Sequence, residues 1–375
     1  MRVLVLSVTA GQGHNSTAKA ICAELESIGC EARMLDTLEY VNRALGETVS
    51  KGYLFAAGSA KLAYKEAYKL AEKRKKSRTD VSPTRATGNL LSLKLLKYIN
   101  TYDPDVIMCT HVFAAIILDV LKKKKKIRAK TVGIVTDFML HPYWEEGLYL
   151  DRIVIPNEQL TYQALRKGFD ENQVLPFGIP IHPKFGTVMP KEQARAELGL
   201  DINKRTVLLM SGSMGYGNIE ETVKELDGVP FDFQMITVCG NNTEAKAKID
   251  EMKTEKRILN LGYVNYVEKL MDASDCIISK PGGLTTSEAM AKGLPMIIVD
   301  PIPGQEDRNT DFLTNNGVAM TVTENSSLGD VVYQMMANPG RMDVMRSAIK
   351  LIAKPNSTRD ICEFVKSLGD QQENI

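Results

Sequence analysis

The sequence predicts an α/β protein built from two doubly wound domains. Short apolar, β-branched runs recur along the chain and alternate with amphipathic stretches, the pattern of parallel strands covered by helices on both faces. The alternation pauses over residues 177–190, FGIPIHPKFGTVMP, where Pro180, Pro183 and Pro190 with Gly178 and Gly186 mark a linker, and then it restarts. A chain of 375 residues also exceeds what one ordinary core encloses. The expected domains are therefore 1–185 and 186–375.

In the first half, Val3–Val8 is a continuous apolar run and so a buried strand. A helix is expected from Ser16 to Ile28, with Ser16 or Thr17 as its cap and Ala20, Ile21, Ala23, Leu25 and Ile28 along its apolar faces. A strand follows over 31–35. Tyr53–Lys76 reads as a long helical stretch, aromatic and apolar first and basic at its end. Residues 77–88, with Pro83 and Gly88, read as a loop, and Leu90–Asn100 as a helix. Strands are expected at 105–110, 131–138 and 152–157, and a helix at 159–168. The second half repeats the pattern, with strands at 205–213, 233–240, 257–264 and 295–301. Residues 275–283 run from strand to glycine loop, and helices are expected at 327–337 and 358–368. Open sheets of this class bind ligands beyond the carboxyl ends of their strands, so two such domains face to face place the site in a cleft between them.

The net charge of +1 hides an asymmetry. Residues 1–185 carry 27 Lys+Arg against 19 Asp+Glu, and the remainder 20 against 27. Two basic runs dominate the front half, KRKKSR at 73–78 and KKKKK at 122–126. Such runs are either solvated faces or a grip on anionic lipid, each charge near the surface contributing on the order of 1 kcal/mol. Six cysteines (Cys22, Cys30, Cys109, Cys239, Cys276, Cys362) form no C-x-x-C pair and no metal spacing with the four histidines, and read as reduced core thiols. RVLVLSV is too short for a signal-peptide core, and no apolar run approaches the ~20 residues of a membrane span. The expected location is cytoplasmic, with any membrane contact peripheral.

Three glycine loops carry the chemistry. In PGGLTTSE, 281–288, a glycine pair precedes a helix whose first N–H groups would point at a ligand, an arrangement suited to phosphate. SGSMGYGN, 211–218, repeats the design, and two such loops suggest a diphosphate; tight strand termination is the plainer reading of either. Thr285-x-x-Glu288 fits a capping box, yet Glu288 also suits a ribose diol, and spacing leaves both open. The N-terminal GQGHNS lacks the third glycine of the dinucleotide fingerprint and the G-K-[ST] of a P-loop. It has His14 at a helix N-terminus, where the macrodipole disfavours imidazolium. A neutral histidine there can take a proton from an alcohol, or can simply bond nearby backbone.

These residues resemble the monogalactosyldiacylglycerol synthase and processive diacylglycerol glucosyltransferase family, within the glycosyltransferase group that includes the cell-wall enzyme adding N-acetylglucosamine to lipid I. The matching stretches are GQGHNSTA, TDFMLHPYW at 136–144, GIPI at 178–181, GSMG at 212–215 and KPGGLTTSEAMAKGLPMIIVDPIPGQEDRN at 280–309. The resemblance implies the GT-B fold, two Rossmann-like domains facing across a cleft. The first would be the acceptor domain, the second would hold the nucleotide-sugar, and the last helix would pack back on the first. It implies His14 as catalytic base, with Gly11 and Gly13 leaving room for diphosphate and acceptor. Ser213 and Met214 would meet phosphate, and Val264 would read the uracil edge. Gly282, Gly283, Leu284 and Thr285 match the diphosphate loop, and Glu288 the ribose ligand. Gln305, Glu306 and Asn309 fall in the stretch that contacts the donor sugar. Asp137, His141 and Trp144 match a segment of acceptor-binding or loop-positioning role, Trp144 being either core or membrane-facing.

The implied reaction is metal-independent transfer of glucose or galactose from a UDP-sugar to 1,2-diacylglycerol, with inversion and without a cofactor. UDP-sugar, the lipid and an anionic membrane surface are the expected partners; nucleic acid is not. The aromatic-apolar segment from Tyr53 to Tyr68 with the following basic run would lie in the headgroups on the inner face of the membrane. Transfer to a polyprenyl-linked or other lipid acceptor is one alternative, and a non-catalytic UDP-sugar-binding membrane sensor is another. A related UDP-N-acetylglucosamine epimerase would need further acidic catalytic groups that have no evident match.

Overall fold

The structure, a computed structural model, describes residues 1–9, 12–44, 46–48, 66, 83–210 and 218–370. The expected Tyr53–Lys76 helix apart from Glu66, the basic run at 73–78, and Gly11, Ser213 and Met214 lie outside the described residues.

Contacts divide the chain into two units, one of Met1–Pro183, Pro303–Gln305 and Asn356–Ile375, the other of Lys184–Ile302 and Glu306–Pro355. In the first unit the strands are β1 (Arg2–Ser7), β2 (Glu31–Asp36), β3 (Val106–Cys109), β4 (Lys130–Ile134), β5 (Arg152–Val154) and β6 (Val174–Leu175). They form one sheet in the order β2-β1-β3-β4-β5-β6, every pairing parallel. Helices α1 (Gly13–Ser27), α2 (Thr37–Val41), α3 (Pro83–Tyr102), α4 (Val112–Lys123) and α5 (Thr161–Lys167) connect them. Val3, Val5, Val106, Met108, Val132 and Ile134 supply the sheet side of the core against Ala18, Ile21 and Leu25 of α1. Residues 357–370 form a helix whose Ile361, Cys362, Val365 and Leu368 complete that core, so the end of the chain belongs to the first unit.

The second unit repeats the architecture with β7 (Arg205–Met210), β8 (Phe233–Val238), β9 (Ile258–Leu261), β10 (Cys276–Ser279), β11 (Met296–Ile298) and β12 (Ala319–Thr321). Their order is β12-β11-β10-β7-β8-β9, again all parallel. The helices here are α6 (Lys191–Glu197), α7 (Ile219–Asp227), α8 (Thr243–Asp250), α9 (Val267–Ala273), α10 (Gly283–Ala291), α11 (Gln305–Asn315), α12 (Leu328–Ala337) and α13 (Pro339–Ile352); the helix of 357–370 is α14. In each sheet the strand order reverses beside the first strand, between β1 and β3 and between β7 and β10. Those two reversals are the switch points where connecting chains leave in opposite directions and open a crevice at the carboxyl edge. GQGHN follows β1, and the 280s loop follows β10.

Several expected boundaries move for physical reasons. Helix α1 begins at Gly13 and not at Ser16, and Ser16 and Thr17 lie in its second turn. Its N-cap, Gln12, provides no side-chain hydrogen bond. The anchor is Asn15, whose Oδ1 accepts from Ser7 Oγ (2.6 Å) and whose Nδ2 donates to Thr9 Oγ1 (2.9 Å). The expected loop at 77–88 is overturned from residue 83 onward, since α3 starts at Pro83, where a missing N–H costs nothing. Gly88 sits inside that helix because a Cβ there would meet Ile116 Cγ2 at 3.2 Å; glycine lets α3 close on α4. Strands 131–138 and 152–157 end early, at Ile134 and Val154. The helix at 159–168 divides into a 3-10 turn, Glu158–Leu160, and α5, which Gly168 terminates in the left-handed region at φ 105°.

Candidate active site

At the first switch point α1 rises directly from the loop after β1 and carries His14 in its first turn. The half-buried imidazole has Nδ1 2.7 Å from the main-chain oxygen of Thr110, the residue that follows β3. A carbonyl only accepts, so Nδ1 bears the proton and Nε2 is the acceptor in the neutral ring. Thr136 Oγ1, beyond β4, lies 3.3 Å from the same nitrogen. Burial lowers the His14 pKa from its usual 6.5; the nearby Asp137 carboxylate and the bond to Thr110 oppose that shift. The loop beneath is tied down by Thr9, whose N–H and hydroxyl both donate to Asp36 Oδ2 at the end of β2 (2.9 and 2.6 Å).

A second histidine, His111, stands 4.6 Å from His14 between ring centroids, edge to face. Sequence reasoning passed over it; its place directly after an apolar strand beside β1 was the available signal. His111 caps α4, its Nδ1 accepting from Phe113 N–H at 3.1 Å. Burial, then the neighbouring His14 and His141, hold it well below the usual imidazole value. His141 likewise caps the 3-10 turn Pro142–Glu146, accepting from Tyr143 N–H at 3.2 Å. Asp137 accepts from Gln305 Nε2 at 2.6 Å. Trp144 is 4 % exposed and therefore core, which excludes the membrane-facing option. It covers Gly133 of β4, where a Cβ would meet its Cζ3 at 2.9 Å and Leu150 Cδ1 at 3.0 Å. The structure thus gathers His14, Asp137 and His141 in one region and sets Trp144 beneath it as packing.

In the second unit α10 starts at Gly283, with Gly282 as an N-cap that has no side-chain bond. The first intrahelical donor is Thr286 N–H, to Gly282 O, which leaves the N–H groups of Gly283, Leu284 and Thr285 without helical partners. Thr285 and Glu288 both lie inside the helix, so the capping box is not formed. No side-chain hydrogen bond or ion pair among the described residues engages the half-buried Glu288 carboxylate. Desolvation pushes its pKa up to about 8, with Lys184 opposing and Glu268 adding to the shift. Lys184 Nζ and Glu268 Oε2 are themselves paired at 2.7 Å. Val264 is half-buried in the turn after β9.

The stretch expected to contact the sugar divides. Asn309 is fully buried and its Nδ2 donates to Pro281 O at 2.9 Å, so it braces the 280s loop from behind. Glu306 is 8 % exposed and its Oε2 accepts from Ile302 N–H at 2.6 Å, fixing the turn into α11. Both face inward, held by bonds within their own unit.

The chain holds one D-x-D, Asp103-Pro104-Asp105. It lies ahead of β3, at the sheet edge opposite His14: Asp105 Oδ2 accepts from Arg2 N–H (2.6 Å) and Asp103 pairs with the Arg2 guanidinium (2.8 Å). Among the described residues no group of three or more His, Cys, Asp or Glu side chains is arranged to hold a metal ion. The KKKKK run ends α4 at that same far edge; Lys122 pairs with Asp151 at 2.7 Å, and Lys124–Lys126 are exposed. No helix among the described residues is long and apolar enough to cross a membrane.

Comparison with known proteins places this geometry. The family profile described as monogalactosyldiacylglycerol (MGDG) synthase matches residues 14–181, and that of the glycosyltransferase family 28 C-terminal domain matches 206–360. A processive diacylglycerol beta-glucosyltransferase of Bacillus pumilus is 28% identical over 379 residues, covering 98% of this chain and 95% of that protein. A probable chloroplastic monogalactosyldiacylglycerol synthase of Glycine max is 31% identical over 392 residues, covering 100% of this chain and 72% of that protein. Among solved structures, MurG of Acinetobacter baumannii superposes with a TM-score of 0.67 at 14% identity, covering 98% and 99% of the two chains. HepE of Anabaena, solved in complex with UDP, superposes at 0.58 and 14% identity, covering 98% and 100%.

Proposed function

This chain belongs to the monogalactosyldiacylglycerol synthase family, and we propose that it transfers a hexose from a UDP-sugar to the free hydroxyl of 1,2-diacylglycerol. Its two parallel six-stranded sheets have the GT-B fold. The observation that carries the reading is the bond from His14 Nδ1 to Thr110 O, which leaves Nε2 as a proton acceptor with no partner among the described residues.

In this account the second unit holds the nucleotide. The N–H groups of Gly283, Leu284 and Thr285 and the positive end of α10 receive the diphosphate, with the loop of Ser213 and Met214 assisting. Glu288 accepts from the ribose hydroxyls, and the main chain at Val264 meets the uracil edge. Gln305 bonds the sugar, while Glu306 and Asn309 keep the loop in shape. We assign no metal or cofactor to the step, because fixed amide donors stabilise the departing UDP. His14 Nε2 takes the proton as the lipid oxygen attacks the anomeric carbon from the face opposite the leaving group. One displacement inverts the centre, giving a β-linked glycolipid from an α-linked donor. Gly13 leaves backbone space beside His14, the role the family motif gives Gly11 as well, and Asp137 and His141 line the acceptor side. The lipid demands work at a bilayer, for which the aromatic and basic composition of 53–78 is suited.

The test is to offer UDP-glucose and UDP-galactose separately to purified protein with diacylglycerol-containing liposomes and identify the lipid product. A β-linked hexosyl diacylglycerol from either donor is expected; no glycolipid from either would contradict the proposal.

A further inference from the structure

His111 is tied to the site by two facts that its capping role does not need. Its ring stands edge to face with His14 at 4.6 Å, and both residues sit on the carboxyl edge of adjacent strands, β1 and β3. Its protonation pattern is the reverse of its neighbour's. His111 Nδ1 accepts from Phe113 N–H, so in the neutral ring the proton is on Nε2. His14 presents a bare Nε2, and His111 presents Nε2–H, which has no partner among the described residues. Burial keeps His111 neutral at working pH, so this donor is an uncharged one.

A diacylglycerol offers the complementary pair. Its hydroxyl donates, and an ester carbonyl on the adjacent carbon only accepts. A carbonyl drawn out of water beside His14 needs a donor within a few ångströms to replace the hydrogen bond it gives up. The geometry points to His111 as a second acceptor-binding residue, whose Nε2–H donates to an ester carbonyl of the lipid while His14 Nε2 receives its hydroxyl proton. This rests on the transfer to diacylglycerol proposed above. It adds a reason for ester-linked lipid to be preferred, since a dialkyl ether of the same chain length lacks the carbonyl.

The experiment compares kcat/KM for 1,2-diacylglycerol and 1,2-dialkylglycerol in matched vesicles, using the parent, His111→Asn and His111→Ser. Both replacements keep an oxygen able to cap Phe113 N–H and remove the ring N–H, and their own donors sit on shorter side chains that end short of the ring Nε2 position. Melting curves and UDP binding are read alongside. The parent is expected to favour the ester roughly 3- to 10-fold, the value of one neutral hydrogen bond, and both variants to bring the ratio near one with UDP affinity unchanged. A parent without ester preference, or variants that retain it, overturns the proposal. A parent that glycosylates neither lipid overturns the functional reading itself, and this inference with it.

Discussion

His14 Nδ1 lies 2.7 Å from the carbonyl oxygen of Thr110, and that contact selects the tautomer. Because β1 and β3 are paired in register from Val3–Val106 to Leu6–Cys109, the loops carrying the two residues emerge side by side. The sheet itself thus aims Nε2 away from the backbone.

Replacing the base should separate chemistry from binding. His14→Ala is expected to lower transfer about 10²- to 10⁴-fold while UDP affinity stays within a factor of about two. Steady-state kinetics on lipid vesicles and calorimetric titration with UDP check the two halves. An equal loss in both would mean that His14 serves structure.

The histidine shifts also set an acid limit. Both His14 and His111 are lowered from 6.5, so the unfolded chain binds more protons than the native one below that value. Stability should be retained above about pH 6.5 and fall as pH drops below it. In His111→Asn the fall should be shallower, read by thermal melts from pH 7 to 5.

Glu288 predicts the opposite slope. Its native pKa of about 8 exceeds the usual 4.5, so the native state holds the extra proton between those values. Stability should decline as pH rises through that window. At pH 7 the free carboxyl is roughly nine-tenths protonated, and ribose hydroxyls favour the ionised form. UDP binding should therefore release close to one proton, and affinity should rise about fivefold between pH 7 and 8. Calorimetry in two buffers of different ionisation enthalpy measures the release. Glu288→Gln should abolish it.

Asn309 never reaches the surface, yet it should matter to the nucleotide. Asn309→Ala leaves Pro281 O without its buried donor, at a cost of about 1–3 kcal/mol. UDP should bind more weakly because the 280s loop loses its brace. Unchanged UDP affinity in a folded variant would argue against that coupling.

Gly133→Ala drives a methyl into Trp144 and Leu150, with an overpacking cost of about 1–3 kcal/mol. Trp144 is the single tryptophan, so its fluorescence reports the unfolding midpoint directly. A stability equal to the parent's would mean that the indole has room to move.

Strand positions were legible because fully buried parallel strands read as unbroken apolar runs, as in Val3–Leu6 and Ile277–Ile278. The helix starts were not. Helix α1 has no capping side chain at its boundary, and Asn15 anchors it through Ser7 and Thr9, contacts formed only once β1 is in place. Gly88 looked like a loop residue because its reason, the approach of Ile116, is tertiary. Thr285 and Glu288 mimicked a capping box until the helix proved to begin three residues earlier. Of the site, His14 and the 280s glycines stood out as motif. His111 did not, because its significance depends on the pairing of β1 with β3.

The most direct test of an uncharged, outward-facing base is ¹⁵N NMR of selectively labelled histidine, with His14 assigned by its loss in His14→Ala. At pH 7 the account predicts a protonated Nδ1 and a bare Nε2, with titration only below the usual imidazole range. An imidazolium at pH 7, or a proton resident on Nε2, would contradict it.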